Sequence, residues 1–308
     1  MAEAASNPAR PPISQVPVTA IDTKITADVF VRKYASLSDE AWKAKLLESA
    51  EKPELDDLQF PRYPDQETQR RIHGGQTLQS SIDGAFSFYQ FIKEQVPVEE
   101  LRNPEFRLLD YGSGWGRQNR AFMRDLPFNN IYGYEPNVGL CVMARKLNPY
   151  VNFINGGYMP DGALPARHFD LAIGYSIFSH LSEVCAKAWL KELSRILRPG
   201  GRAIMTTWGL RFMRRLLAES EKLARGEEID WYSKDCIDGA KGQIPQLMEN
   251  LESGKFIWFT KNASTLYGDA FLPAAAITCW IDELGLDLKL VHYDNASLSQ
   301  DVFVLSTA

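Results

Sequence analysis

The 308-residue sequence lacks the cysteine pattern of a disulfide-rich or zinc-binding protein. Its four cysteines, Cys141, Cys185, Cys236 and Cys279, are widely separated, and no C-x-x-C or Cys/His pair occurs. This spacing excludes both a zinc-ribbon type of site and a disulfide framework. Scattered, unpaired cysteines are typical of a reducing compartment, so we expect a cytoplasmic protein with four free thiols.

Long apolar runs and clusters of basic residues are also missing. No apolar run reaches the roughly 20 residues that a membrane-spanning helix needs. The net charge is −5, and the densest basic cluster comprises only Arg211, Arg214 and Arg215. Proteins that bind nucleic acid usually carry a basic stripe that follows the phosphate backbone. We therefore expect a protein that binds neither nucleic acid nor a membrane.

Changes of composition divide the chain into a tail, a helical segment and an α/β region. Residues 1–20 are rich in Ala, Pro and Ser and are interpreted as a flexible tail. Residues 21–100 are predicted to form a helical N-terminal cap, in which Ser38 begins one of the helices. Residues 101–308 form the predicted α/β domain, with residues 209–268 as a lid or substrate insertion between its fifth and sixth strands.

Five short apolar runs in the α/β region alternate with helical patterns, which predicts βαβ units and a parallel sheet with helices on both faces. The predicted strands are Arg107–Tyr111, Ile131–Glu135, Val151–Ile154, Phe169–Gly174 and Ala203–Thr207. Two further strands, Leu286–His292 and Asp301–Leu305, are joined by a connection too short for a parallel crossover. The expected fold class is therefore α/β, with a seven-stranded, mostly parallel sheet whose last strand is antiparallel.

The strongest chemical signal is a glycine-rich turn after the first predicted strand, at residues 110–117 with the sequence DYGSGWGR. Glycines allow the backbone to turn sharply and to approach a ligand closely. The helix expected to follow, containing Ala121 and Phe122, would direct its N-terminal amides at that ligand. Taken alone, such a turn is also found as a purely structural feature.

Two acidic residues give the turn a chemical context. Glu135 ends the second strand, where a carboxylate can accept both hydroxyls of a ribose. Asp110 ends the first strand and faces the same crevice, where it favours a cationic ligand over a pyrophosphate. The spacing G-x-G-x-G also departs from the dinucleotide pattern G-x-G-x-x-G, because Arg117 stands where the third small residue is expected. A sulfonium, an amino group and a ribose fit these charges better than NAD does.

On these residues, the region from about 105 to 208 resembles the class I S-adenosylmethionine-dependent methyltransferases, which have a Rossmann-like fold. The resemblance implies the strand order 3-2-1-4-5-7-6 and S-adenosyl-L-methionine as the cofactor. In that family the glycine turn contacts the methionine part of the cofactor and the acidic residue after strand two holds the ribose. The residues implied to bind the cofactor are Asp110, Gly112, Ser113, Gly114, Gly116, Glu135, Pro136, Asn137, Asn155, Gly156, Gly157 and Tyr175.

The segment after the third strand departs from the family pattern. Many members carry an aspartate there that binds the adenine amino group, and Gly157 occupies this position. Recognition of adenine is then expected to fall to Asn155, to the backbone or to Tyr158.

His180 follows the fourth strand and is the candidate catalytic residue. Tyr175 and Ser176 lie at the carboxyl edge of the predicted sheet, beside the expected position of the reactive methyl group. An imidazole can take a proton near neutral pH, so His180 is a candidate general base. Alternatively, His180 is structural and caps the helix that begins with Ser182 and Glu183. No carboxylate cluster has metal-ligand spacing, so no divalent metal is expected.

The predicted insertion is rich in aromatic residues, which either pack in its core or line an acceptor pocket. These residues are Trp231, Tyr232, Trp258 and Tyr267. The insertion leaves the sheet at its carboxyl edge, where ligands of open α/β sheets bind. The segments Tyr267-Gly268-Asp269 and Gln300-Asp301-Val302 resemble methyltransferases that modify sugars or other hydroxylated small metabolites.

The sequence thus predicts an enzyme of the EC 2.1.1 class. It would transfer a methyl group from S-adenosylmethionine to a hydroxyl, or less readily an amine, of a small-molecule acceptor such as a sugar or a secondary metabolite. One alternative is an NAD(P)-dependent oxidoreductase, against which Arg117 and the antiparallel last strand argue. A second alternative is a catalytically silent S-adenosylmethionine-binding scaffold. The sequence predicts no oligomeric state.

Overall fold

The computed structural model describes residues 26–308 except for residues 73, 74, 76, 261–263 and 295. The tail predicted at residues 1–20 lies outside the described residues. The helices are α1 (Val29–Tyr34), α2 (Asp39–Glu51), α3 (Gln66–Ile72), α4 (Leu78–Gln95), α5 (Val98–Leu101), α6 (Asn119–Phe122), α7 (Val138–Leu147), α8 (Glu183–Ile196), α9 (Leu210–Ala224), α10 (Trp231–Ala240), α11 (Ile244–Glu252) and α12 (Ala274–Leu284). The strands are β1 (Glu54–Leu55), β2 (Leu58–Gln59), β3 (Leu108–Tyr111), β4 (Ile131–Glu135), β5 (Asn152–Asn155), β6 (Phe169–Gly174), β7 (Leu197–Thr207), β8 (Ile257–Phe259), β9 (Asp269–Phe271), β10 (Lys289–Asp294) and β11 (Asp301–Ser306). Across these described segments, no helix combines the length and apolar character needed to cross a membrane.

Seven strands form the central sheet, in the order β5-β4-β3-β6-β7-β11-β10. Strand β11 runs antiparallel to both of its neighbours, whereas β3, β4, β5, β6 and β7 pair in parallel. Numbered along the chain, this is the order 3-2-1-4-5-7-6. The predicted fold class is therefore confirmed, including the antiparallel last strand.

The two faces of the sheet are covered by separate apolar cores. On one face, strand residues such as Leu108 and Ile131 share a core with Trp42 and Phe88 of the N-terminal helices. On the other face, α8 and α12 cover the strands, and Trp189 is completely buried there. Because both faces are buried, the central strands are apolar on both sides, as expected for parallel strands.

The N-terminal helices are tied to the α/β region by polar contacts as well as by packing. Ser38 begins α2 as predicted, and its side chain accepts a hydrogen bond from the Ala41 amide at 3.2 Å. The indole of Trp42 on the same helix donates to the Ala121 carbonyl at 2.9 Å. This bond joins α2 directly to the segment that follows the glycine turn.

The segment between β7 and α12 has a core of its own. Helices α9, α10 and α11 and strand β8 bury Met213, Leu216, Cys236 and Ile244 against one another. Besides α9, the structure contains two further helices, α10 and α11, and the antiparallel β8–β9 pair, none of which is among the predicted elements. The apolar residues of α11 do follow a helical spacing, but the helix has only nine residues.

The helix expected after the glycine turn, with Ala121 and Phe122, is present as the single turn α6. The Arg120 guanidinium of this turn donates to the Gly116 carbonyl at 2.6 Å. Residues 198–201 lie within β7 as an irregularity in its pairing with β6, with Gly200 at a φ of +75°.

Candidate functional site

The glycine turn connects β3 to α6 at the carboxyl edge of the sheet. Gly112, Gly114 and Gly116 have φ values of +69°, +56° and +81°, which other L-residues rarely adopt. A β-carbon on Gly112 would lie 2.1 Å from Ile177 Cδ1, whereas nothing lies within 4 Å of the corresponding position on Gly114. The turn is therefore closely packed at its start and open at its centre.

Glu135 at the end of β4 holds this turn in place. Its side chain is buried, with Oε2 accepting from the Gly114 amide and Oε1 accepting from the Asn137 amide, both at 2.8 Å. Burial raises the pKa of Glu135, and the two backbone hydrogen bonds oppose that rise. Asn137 also begins α7, where its side chain accepts from the Leu140 amide. Three of the predicted cofactor residues are thus in direct contact.

A second carboxylate, that of Asp110, is buried beside Glu135. Asp110 Oδ2 and Ser113 Oγ are buried without a hydrogen-bond partner among the described residues. Burial raises the pKa of Asp110 well above its usual range, the Arg117 guanidinium lowers it and the Glu135 carboxylate raises it further. Arg117 is buried as well, with its guanidinium 5.2 Å from the centre of the Tyr175 ring. The crevice therefore contains two carboxylates and one guanidinium with little access to water.

The predicted adenine-binding residues lie next to the end of β4. The Asn155 side-chain amide donates to two backbone carbonyls, that of Pro136 at 3.3 Å and that of Glu135 at 2.8 Å. The Tyr134 hydroxyl donates to the Gly157 carbonyl at 3.0 Å. A β-carbon on Gly156 would lie 1.9 Å from the same hydroxyl. These contacts fix the backbone that continues from β5, and glycine at position 156 is required for the close approach.

Tyr175 and Ser176 belong to a hydrogen-bonded group that joins the ends of three strands. Ser176 has a φ of +61°, and its amide donates to Thr206 Oγ1 at 2.7 Å. The Gln300 side chain donates to Ser176 Oγ and accepts from Thr206 Oγ1. The Tyr175 hydroxyl lies 3.0 Å from Ser299 Oγ. These bonds hold a strained backbone at the carboxyl edge of the sheet, as is common at functional sites.

His180 lies in the loop that follows β6, where it is close in space to the beginning of β9. Its Nδ1 is 2.9 Å from the Gly268 carbonyl oxygen and 3.8 Å from Asp269 Oδ1. Its ring stacks on Tyr267, with the ring centres 4.9 Å apart. Burial lowers the pKa of His180, whereas the Asp269 carboxylate raises it. The hydrogen bond of the ring thus joins His180 to the segment before β9 and not to α8.

The four aromatic residues of the insertion have different environments. Trp231 is 63% exposed and Tyr267 is 49% exposed. Tyr232 packs in the core of the insertion, and its hydroxyl donates to Asp269 Oδ1 at 3.0 Å. The Trp258 indole nitrogen is buried without a hydrogen-bond partner among the described residues. Of these four residues, Tyr267 stacks on the predicted site residue His180.

Two parts of this site could not be predicted from the sequence. Arg117 departs from the dinucleotide pattern, but nothing in its position along the chain indicates a buried guanidinium beside Asp110. Asp269 belongs to a segment that resembles other methyltransferases, but its approach to His180 depends on how the insertion folds back. No periodic or motif signal carries that information.

Residues 108–201 match the family model described as a methyltransferase domain. Among solved structures, a methyltransferase from Mesorhizobium loti is 12% identical, with a TM-score of 0.47 over 73% of this chain and 99% of the other. An amino pentose methyltransferase from Micromonospora echinaspora is 14% identical, with a TM-score of 0.48 over 80% and 98%. A methyltransferase from Leishmania major is 14% identical, with a TM-score of 0.49 over 92% and 91%. No curated protein sequence matches the chain.

Proposed function

We propose that this chain, whose residues 108–201 match a methyltransferase-domain model, transfers a methyl group from S-adenosyl-L-methionine to a hydroxyl group of a small molecule. The observation that carries the proposal is the pair of buried carboxylates at the ends of two adjacent parallel strands, Asp110 on β3 and Glu135 on β4. Ligands of open α/β sheets bind at this edge. Two buried carboxylates favour a ligand with positive charge and disfavour a pyrophosphate.

The residues of the crevice fit the polar groups of the cofactor. Asp110 Oδ2 and Ser113 Oγ have no partner in the described structure, so an ammonium group can satisfy them. Each oxygen of Glu135 accepts one backbone hydrogen bond and retains acceptor capacity for a ribose hydroxyl. The Arg117 guanidinium provides a positive group for the carboxylate at the methionine end. Ammonium, ribose and carboxylate thus each have a complementary side chain.

The adenine is proposed to lie beyond Glu135, against Pro136, Asn137 and the backbone that follows β5. The amide hydrogens of Asn155 already bond to backbone carbonyls, so backbone groups at Gly156 and Gly157 are better suited to recognise the base. This arrangement would explain how the site works without an aspartate at position 157.

His180 is proposed as the general base, and this role favours a hydroxyl acceptor over an amine. An alcohol oxygen is a weak nucleophile that must lose its proton as it attacks, whereas a neutral amine nitrogen is nucleophilic without losing a proton first. S-Adenosylmethionine supplies a methyl group on a sulfonium sulfur, which leaves as a neutral thioether. The low pKa of His180 keeps the imidazole neutral near pH 7, as a base requires.

Residues 21–100 are proposed to act as a cap and residues 209–268 as a lid over the carboxyl edge. The described N-terminal helices share a core with one face of the sheet. The insertion contributes Tyr267, whose exposed ring lies against His180. In this proposal both segments would exclude water from a bound acceptor.

Two measurements test this proposal. Calorimetry should show that the full chain binds S-adenosylhomocysteine and does not bind NADH or NADPH. Radiolabelled S-adenosylmethionine should then transfer label into the small-molecule fraction of a cell extract when the protein is added. Binding of a nicotinamide cofactor alone would support the oxidoreductase alternative. Binding of S-adenosylhomocysteine without any transfer would support a silent scaffold.

A further inference from the structure

The loop that carries His180 is joined to the strand that returns from the insertion. The Gly268 amide donates to the His180 carbonyl at 2.8 Å, and the Ala270 amide donates to the Ser179 carbonyl at 2.7 Å. These bonds form a short antiparallel contact between the loop after β6 and the beginning of β9. The position of His180 is therefore set by the insertion as well as by the central sheet.

One nitrogen of the His180 ring is fixed as a donor. Its Nδ1 lies 2.9 Å from the Gly268 carbonyl, and a carbonyl can only accept, so Nδ1 carries the hydrogen. In the neutral ring the free electron pair is then on Nε2. Position 268 requires glycine, because a β-carbon there would lie 2.3 Å from the Phe259 carbonyl oxygen. The backbone thus determines which ring nitrogen can act as a base.

The Asp269 carboxylate lies on the Nδ1 side of the ring. Its Oδ1 is 3.8 Å from His180 Nδ1, and it accepts from the Tyr232 hydroxyl at 3.0 Å. The Trp208 indole donates in turn to the Tyr232 oxygen at 3.2 Å. Other titratable groups facing the pair are Tyr267, stacked on the ring, and Cys236 and Asp235 of α10, which affect Asp269. Asp269 is therefore held in one orientation beside the imidazole.

We infer that Asp269 is a positioning residue for His180, so that the insertion contributes to proton removal as well as covering the site. This inference rests on the proposed function. The O–H bond of the acceptor would break as its proton bonds to Nε2. The freed electron pair on oxygen would form the bond to the methyl carbon while the carbon–sulfur bond breaks and the sulfur leaves as a neutral thioether. The imidazolium produced has its positive charge facing Asp269, which stabilises it, while the Gly268 carbonyl keeps the tautomer.

The test is imidazole NMR of the full chain labelled at its histidines, with S-adenosylhomocysteine added and His180→Gln used to assign the signal. In the wild type at neutral pH, we expect the tautomer with hydrogen on Nδ1. In Asp269→Asn, we expect the same tautomer and a lower His180 pKa, because the anion that favours the charged ring is lost. Asp301→Asn is the matched control, since Asp301 is also buried and accepts from a tyrosine hydroxyl, that of Tyr293 at 3.0 Å. It should leave the His180 titration unchanged.

A methyl-transfer assay with labelled S-adenosylmethionine and extract small molecules supplies the kinetic readout. Asp269→Asn should lower turnover about 10–100-fold, a range seen when orienting residues are removed. It should also move the acid limb of the pH profile to lower pH, which a purely structural role would not do. A wild-type ring with hydrogen on Nε2, or a titration unmoved by Asp269→Asn, would overturn the inference. The wild-type measurement does not depend on whether a variant folds. Failure to bind S-adenosylhomocysteine, with the NMR result as expected, would instead overturn the proposed function alone.

Discussion

Replacing Glu135 with alanine tests the cofactor site most directly. The carboxylate accepts from the Gly114 and Asn137 amides, and in the proposed complex it also accepts from the ribose. Removing a charged acceptor from buried hydroxyls should weaken binding by about 1–3 kcal/mol. Calorimetric affinity for S-adenosylhomocysteine should therefore fall about 5–150-fold.

The same change also affects folding, and the two effects must be separated. Two buried backbone amides lose their partner in Glu135→Ala, at a cost of about 1–3 kcal/mol each. Glu192→Ala is the matched control, because Glu192 is buried on α8 and accepts from Arg195 at 2.6 Å. It should lower the melting temperature without weakening S-adenosylhomocysteine binding. A folded Glu135→Ala protein with wild-type affinity would refute the ribose assignment.

Three further predictions concern the base, a glycine and the N-terminal helices. His180→Gln should lower methyl transfer about 10²–10⁴-fold with unchanged cofactor affinity; a fully active variant would exclude it as the base. The pKa of His180 lies below its ordinary value of 6.5, and the neutral ring is the active form. Wild-type kcat/KM should therefore fall only when the pH drops below 6.5. Gly156→Ala places a β-carbon 1.9 Å from a tyrosine hydroxyl and should cost about 1–3 kcal/mol in urea unfolding, whereas Gly84→Ala, with open space, should be neutral or stabilising. Trp42→Ala should cost about 3–5 kcal/mol because the indole is fully buried, and exposed Trp231→Ala should change stability little; a small loss for Trp42 would argue against a core shared with the sheet.

Much of the fold could be predicted from local patterns. The bounds of β4 and β6 agree with the sequence prediction to the residue. Central parallel strands are short runs that are apolar on both faces. In amphipathic helices, apolar residues repeat every three to four positions. Both signals are visible in the chain. The antiparallel pairing of the last two strands followed from the length of the connection between them, because a short connection cannot cross over a sheet.

The insertion could not be predicted in the same way. Its helices α10 and α11 are short, and much of the stability of such helices comes from tertiary packing around residues such as Cys236 and Ile244.

The sequence by itself determined the residues at the carboxyl ends of β3 and β4, because a motif and a strand end are both local features. Asp110, the glycine turn and Glu135 could be placed at one edge as soon as the strands were known to be parallel and adjacent. Only the tertiary structure decided that Arg117 is buried beside Asp110 and that Asp269 lies 3.8 Å from His180. The first contact is set by side-chain packing, and the second joins residues that are distant in sequence. Both depend on the whole fold rather than on any repeating pattern in the chain.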